Sequence, residues 1–370
     1  MPKPTDTIET TDFTLFKQQL STHKHTIDTE LQRISEHLLA DTNEQFGEVP
    51  KEVVAAYAAV LLKGGKRIRG SLAMAAYALF EGDNQPMITQ AACALEMLNT
   101  YILIADDIQD RSESRRGGKT AHIQMRDFHV KKHLKGDSLH FGEAMAINSF
   151  LIAQHYAANL IATLPTSADI RIKALQNVNK CFIVTAHGQT MDIFVESNGA
   201  ASSEEVNHIL EWKTAYYTFI NPLQLGGILA GARKADMAKL ADYGLHAGRA
   251  FQLVDDIIGT FGSSDMTGKS PLDDIKEGKR TLMVLAALEK ANASDSYFLE
   301  ACLGSQQLTM HDFEKCQSII TKTGALDYTK EQAEQSSKKA IAAISSETTW
   351  VPQAKQFLID LAQYILVRNT

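Results

Sequence analysis

The sequence predicts an all-α protein, and three observations carry that prediction. Only 8 Pro and 22 Gly interrupt 370 residues, whereas Ala, Leu, Ile, Gln, Glu and Lys abound. Apolar residues recur at the spacing that places them on one helix face, in segment after segment. Strand signals are negligible, and neither an internal repeat nor a linker divides the chain. One helical domain over residues 13–370 is therefore the economical architecture. Apolar residues make up 44% of the chain, enough for a substantial core.

The elements follow in order. Residues 1–12 are polar and read as disordered. From Phe13 to Leu39 the positions Leu20, Ile27, Leu31, Ile34 and Leu38 mark an amphipathic helix. Val53 to Leu62 continues as helix until Gly64-Gly65 stops it. Ser71 to Phe80 is Ala-rich and reads as buried, ending at Gly82-Asp83-Asn84. Met87 to Asp110 is mostly apolar on two faces, which predicts a central helix. Arg111 to Gly118 reads as a loop. Further helices are predicted at 141–162, 168–196, 203–219, 222–231, 236–259, 279–292, 311–323, 329–345 and 351–367.

Bulk properties exclude several function classes. A formal charge of −7 argues against a nucleic-acid binder, so any phosphate chemistry must rest on local basic clusters. Cys93, Cys181, Cys302 and Cys316 are scattered without a CxxC pair, which suggests neither a zinc knuckle nor a disulfide framework and fits the cytoplasm. The N-terminus lacks a signal-type apolar core, and no run of about eighteen apolar residues suggests a membrane span.

Two acidic clusters point to chemistry. Asp106-Asp107-Ile108-Gln109-Asp110 follows the apolar run 101–105, and Asp255-Asp256-Ile257-Ile258-Gly259 follows Phe251-Gln252-Leu253-Val254. Adjacent carboxylates at the end of a buried helix repel each other and lose hydration, so they stay ionised only beside a cation. Residues four apart share a helix face, so Asp106 and Asp110 point the same way, with Asp107 about 100° round. Hard oxygen ligands that leave room for water and phosphate oxygens suit Mg²⁺. Two such clusters facing each other would trap a magnesium diphosphate. One alone reads as a solvated helix face.

Basic groups accompany them. Gly64-Gly65-Lys66-Arg67-Ile68-Arg69-Gly70 sets two glycines before three cations, where backbone can approach a ligand and Arg can fork phosphate oxygens. Alone it also reads as a helix C-cap with solvated cations. Arg115-Arg116 lies in a Ser- and Gly-rich loop that lets the chain fold back, so both guanidiniums can reach a metal-bound anion. Otherwise they are exposed loop cations. Lys213 and Tyr217 share a face of an aromatic-rich helix, and such a lysine needs an anionic partner or its pKa falls. Asp192, in Gly188-Gln189-Thr190-Met191-Asp192, is an acid within an apolar helix that could extend a metal site. Lys269 and Lys279 sit in a loop of lysines and carboxylates after the second cluster.

Taken together, GGKRIRG at 64–70, DDIQD at 106–110 with RRGG at 115–118, GQTMD at 188–192, KTAYYTF at 213–219, FQLVDDIIG at 251–259 and the GK…DIKEGKRTL stretch resemble the trans-isoprenyl diphosphate synthases, or polyprenyl synthetases. The resemblance runs from about Gly64 to about Val284 and is specific in order and spacing. It implies long antiparallel helices around a deep central cavity, usually in a homodimer. It implies that an allylic diphosphate ionises, that C4 of isopentenyl diphosphate attacks the carbocation, and that proton loss leaves a product five carbons longer plus diphosphate.

The resemblance also implies roles. Asp106, Asp110 and Asp255 would bind two or three Mg²⁺ ions, supported by Asp192 and Asp256. Arg115, Lys213, Lys269 and Lys279 would hold the allylic diphosphate, and Lys66, Arg69 and Arg116 that of isopentenyl diphosphate. Thr214 and Gln252 would set oxygens beside the developing cation. Three places depart from the family's pattern, among them Asn148-Ser149 for a frequent Gly-Asp, to which no effect is assigned. Gly259 stands where many members have Asp, with metal binding expected to survive on Asp255 and Asp256. Asn99 replaces the usual His or Gln at isopentenyl diphosphate, with weaker binding as the expected consequence.

Product length should be set along the helix that carries Asp106. Tyr101 and Ile102 lie five and four residues before it, about 6–7.5 Å down the axis. One aromatic five before the first Asp resembles geranylgeranyl (C20) enzymes, and aromatics at both positions resemble farnesyl (C15) enzymes, so C20 is expected ahead of C15. The rival readings are a terpene cyclase, which needs no second diphosphate site, and a silent regulatory subunit, which would have lost acidic ligands.

Overall fold

The computed structural model describes residues 12–262 and 272–368. Helix follows helix: α1 (Thr14–Phe46), α2 (Glu48–Leu62), α3 (Ile68–Leu79), α4 (Gln85–Gln109), then α5 (Ala121–Lys131), α6 (Ser138–Ala162), α7 (Ala168–Asn198) and α8 (Ser203–Ile209). A π-helical segment, Leu210–Ile220, leads into α9 (Asn221–Leu229) and α10 (Lys234–Phe261). The remainder comprises α11 (Asp273–Glu277), α12 (Leu282–Lys290), α13 (Ala293–Cys302), α14 (Met310–Lys322), α15 (Ala325–Ser345) and α16 (Pro352–Val367).

The all-α class is as expected from the sequence, with three kinds of difference. First, the 111–118 loop contains a small antiparallel hairpin pairing Ser114 with Lys119 and Arg115 with Gly118. Its turn residues, Arg116 (φ +51°) and Gly117 (φ +69°), both have positive φ, as a two-residue hairpin turn requires. Second, α5, α11 and α13 were not anticipated. α5 is rich in His, Lys and Arg, and only its close crossing with α6 reveals its apolar side: Gly142 abuts the Arg126 backbone so tightly that a Cβ would not fit. Third, the expected 203–219 helix widens at Leu210. There α7 approaches through Gly188, against the backbone of Trp212 and Lys213, and α10 through Gly248, against Ala215.

α4 is the axis of the N-terminal core. Ile88, Ala91, Ala92, Cys93, Ala94, Met97 and Ile104 along it are fully buried, and it packs against α3 and α6. Truncating Met97 or Ile104 to Ala would cost about 2–5 kcal/mol. By hydropathy and length α4 could cross a membrane, which the residue-by-residue reading did not reveal; but 78% of its most apolar window is buried within the protein, as in a core helix. A second core forms where α10 packs against α15 and the π-helical segment, around Tyr243, Phe219 and Leu253. Residues 1–11, expected to be disordered, lie outside the described residues.

Candidate active site

A cavity of about 770 Å³ opens between the α2–α3 loop, the π-helical segment, the C-terminal half of α10 and the α11–α12 connection, with Asn99 of α4 and Asp192 of α7 on its wall. α4 stops with Asp110 as its C-cap. Its three acids therefore sit at the negative end of the helix dipole, which adds to their mutual repulsion. The hairpin then folds the chain back. Arg115 Nη2 donates to Asp106 Oδ2 at 3.1 Å, and its Nε donates to Asp107 Oδ1 at 2.6 Å. Asp107 is fully buried against that guanidinium, whereas Asp106 is partly exposed. Burial, reinforced by Asp106, pushes the Asp110 carboxyl up to about 6.

A continuous chain of contacts joins this cluster to the second. Lys213 Nζ lies 3.8 Å from Asp106 and donates to Asp192 Oδ2 at 2.5 Å. Burial works against its charge, but Asp192 and Asp106 outweigh that and raise its pKa above the ordinary lysine value. The neighbouring Thr214 donates to Gln252 Oε1 at 2.6 Å, and Gln252 Nε2 donates to Asp256 Oδ1 at 2.8 Å. Asp256 is driven up to about 8 by burial, with Asp274 and Asp255 adding to the effect against the Gln252 amide. Asp255 is raised too, by burial, although Arg368 and Lys66 oppose the shift.

The second cluster has partners that sequence spacing does not reveal. Arg368, 113 residues downstream, donates to Asp255 Oδ1 and to the Phe251 carbonyl, both at 2.7 Å, and stacks on the Phe251 ring. Asp274 explains Gly259: its Oδ2 occupies the place a Cβ at 259 would take, so a carboxylate from α11 stands beside the glycine. Lys279 pairs with Asp274 at 3.2 Å and Glu277 at 2.6 Å. Burial opposes its charge, yet Asp274, Glu277 and Asp110 raise its pKa. Lys279 thus senses both clusters.

Opposite the acids is a cationic wall. Lys66, Arg69 and Arg116 line the cavity together with Lys63. The Arg116 guanidinium donates to the Gly64 carbonyl and packs 3.0 Å from where a Cβ of Gly65 would be, so the double glycine lets the two motifs interlock. Arg67, within the same motif, points away: it is buried, donates to Asp28 and the Leu61 carbonyl, and faces Glu96. Burial, then the neighbouring Arg368, lowers the Lys66 pKa, and burial with Arg67 and Arg115 lowers that of Arg116. Asp255 beside Lys66 and Glu96 beside Arg116 offset this only in part, so the wall keeps an excess of positive charge that favours an anion. Asn99 is buried, and its side-chain oxygen has no hydrogen-bond partner among the described residues. Lys269 lies outside the described residues.

Below the acids, Tyr101 packs against Phe150 (ring centroids 5.1 Å apart) and Phe182 (6.4 Å), with Ile102 half-buried beside it. Among the described residues, no three acidic, His or Cys side chains converge on one point as a ready-made metal cage. Magnesium does not need one, because it keeps waters and takes one or two carboxylates plus substrate phosphates. The all-oxygen donor set fits that ion.

Comparison with known proteins shows the family. The polyprenyl synthetase family profile matches residues 50–320. The geranylgeranyl diphosphate synthase of Saccharolobus solfataricus is 31% identical over 83% of this chain and 87% of its own length. The octaprenyl diphosphate synthase of Haemophilus influenzae is 30% identical over 92% of this chain and 95% of its own. A crystal structure of the Corynebacterium glutamicum geranylgeranyl pyrophosphate synthase, complexed with isoprenyl diphosphate and magnesium, superposes with a TM-score of 0.87 at 29% identity, covering 95% of this chain and 99% of that one. The acid clusters, the cationic wall and these likenesses place the chain in the polyprenyl synthetase family.

Proposed function

We propose that this prenyltransferase condenses isopentenyl diphosphate with a C5–C15 allylic diphosphate and releases diphosphate. The observation that carries this reading is the contact chain Asp106–Lys213, Thr214–Gln252–Asp256 in a site that also holds Lys66, Arg69 and Arg116, none of which forms a carboxylate ion pair among the described residues. One site for a metal-bound diphosphate and another for a second diphosphate are what elongation needs and cyclisation does not.

Asp106, Asp110 and Asp255, with Asp192 and Asp256, would hold two or three Mg²⁺ ions. When bound, these supply positive charge to the departing diphosphate. Arg115, Lys213 and Lys279 bind the same diphosphate and stabilise charge as the allylic C–O bond breaks. Lys269, outside the described residues, joins them on the family's pattern. Lys66, Arg69, Arg116 and Asn99 orient isopentenyl diphosphate so that its C4 attacks C1 of the cation. Gln252 directs its amide N–H₂ to Asp256 while its oxygen accepts from Thr214, and the remaining lone pairs of these two oxygens would lie beside the developing cation. The product loses a proton from C2, and the departed diphosphate takes it. Apolar walls exclude the water that would otherwise quench the cation.

For product length we favour C20, then C15, because Tyr101, with Phe150 and Phe182 packed around it, would stand in the way of a tail growing from Asp106; the named relatives themselves differ in product. We further propose one synthase domain over 13–370, acting as a homodimer. Ile147 and Leu151 of α6 and Ile172 and Ile183 of α7 are exposed apolar side chains suited to a second copy. A reducing cytoplasm accords with four free, buried thiols. The test is chromatography of products from purified chain, Mg²⁺, isopentenyl diphosphate and C5, C10 or C15 starters. Elongated products support the reading; products formed without isopentenyl diphosphate would indicate a cyclase, and no diphosphate release by the chain alone a silent subunit.

A further inference from the structure

Arg69 differs from the other cavity cations in how it is held. Its Nη2 donates to Thr218 Oγ1 at 2.8 Å, and its guanidinium lies 4.2 Å above the centre of the Tyr217 ring. Thr218 is fully buried. No carboxylate lies within ion-pair distance of Arg69 among the described residues, although Asp255 feels its charge, and its buried Nε lacks a hydrogen-bond partner there. Two anchors thus fix the plane of a fork whose buried Nε–H has no hydrogen-bond acceptor among the described residues.

The fold makes those anchors rigid. Gly226 of α9 lies so close to α3 that an added Cβ would come within 2.9 Å of the Tyr77 backbone nitrogen, so the two helices touch backbone to backbone. That contact seats the end of the π-helical segment over the first turn of α3, where Arg69 is. The same segment offers Lys213 and Thr214 to the acid clusters one turn earlier. Wide turns of this kind concentrate at functional sites.

We infer that Thr218 and Tyr217 are positioning residues that aim Arg69 at the diphosphate of isopentenyl diphosphate, Thr218 by accepting a hydrogen bond and Tyr217 by stacking. This rests on the reading that Arg69 binds that diphosphate. Orientation matters because a guanidinium discriminates phosphate only when two N–H groups meet two oxygens. The cost of losing it falls on one substrate and not the other.

The experiment is calorimetric titration with isopentenyl diphosphate alone, together with steady-state kinetics, on T218V, T218S, Y217L, Y217F and R69A, each checked for folding by thermal melting. T218V is expected to weaken binding about tenfold, as for a lost hydrogen bond to a charged group. KM for isopentenyl diphosphate should rise in parallel, with KM for the allylic substrate unchanged. T218S and Y217F should restore binding, Y217L should not, and adding T218V to R69A should cause no further loss. If folded T218V binds within twofold of wild type while R69A binds poorly, or if the two losses add, the positioning role is wrong and the site reading stands. If R69A also binds normally, the site reading fails and takes this inference with it.

Discussion

Tyr101→Ala should lengthen the product. Tyr101 sits five residues before Asp106, about 7.5 Å along the helix axis. Its ring packs on Phe150 at a centroid distance of 5.1 Å, with Phe182 at 6.4 Å, so a tail growing down this helix would meet three clustered rings. Each further five-carbon unit that enters an apolar channel gains about 4 kcal/mol, at roughly 0.8 kcal/mol per buried CH₂. With the middle ring gone that gain becomes available, and it favours continued elongation by well over a hundredfold. The main product should therefore move up by at least one unit, with Phe150 and Phe182 becoming the new limit. The half-buried ring costs about 2 kcal/mol of stability when removed, so the variant stays folded. The assay is reversed-phase chromatography of dephosphorylated products made from labelled isopentenyl diphosphate and a C10 starter. An unchanged distribution from a folded variant would refute the block at Tyr101 and turn attention to Phe150→Ala.

Other consequences can be measured on the same protein. Asp106→Asn and Asp255→Asn should each lower kcat by about 10²–10³ in folded protein, and because Asp106 pairs with Arg115 and Asp255 with the buried Arg368, the metal-free melting temperature should fall modestly as well. Gly259→Asp should reduce activity instead of restoring a fuller acidic motif, since Asp274 already occupies that space; gain of activity would contradict this. Asp256, held near 8 in the folded chain, binds a proton that the unfolded chain gives up near the ordinary Asp value. Its charge therefore destabilises the metal-free fold increasingly as pH rises from about 4 toward 8, and Asp256→Asn should raise the melting temperature most at the alkaline end. His23 acts with the opposite sign. Burial beside Phe357 lowers it to about 4, so stability should fall as pH drops from 6.5 through 4, and His23→Leu should flatten that limb in a melting-temperature profile.

Helices whose apolar face repeats over several turns were legible, and α4 is the clearest, its buried residues following the pattern read from Met87 to Asp110. α5 was not, because its charge density hides an apolar side that appears only where Gly142 brings α6 against it. The π-helical turn is likewise a tertiary result, imposed where Gly188 and Gly248 let two backbones close on the segment. In the site, motif order brought the acids, Lys213, Thr214 and Gln252 to attention. Arg368 gave no local signal, since its link to Asp255 spans 113 residues. Asp274 stood within the quoted Lys-rich loop, but its meaning depends on the empty side of Gly259. Arg67 shows the converse: a cation inside a motif that the fold spends on Asp28 and Glu96.

The central claim is that the two aspartate clusters act on one metal-bound diphosphate. Its most direct test is a crystal grown with Mn²⁺ and an unreactive allylic thiolodiphosphate, with the ions located by anomalous scattering. The account predicts two or three peaks bridging a single diphosphate, contacted by Asp106 and Asp110 on one side and Asp255 on the other. Ions bound to one cluster alone, or a diphosphate out of reach of either, would contradict it.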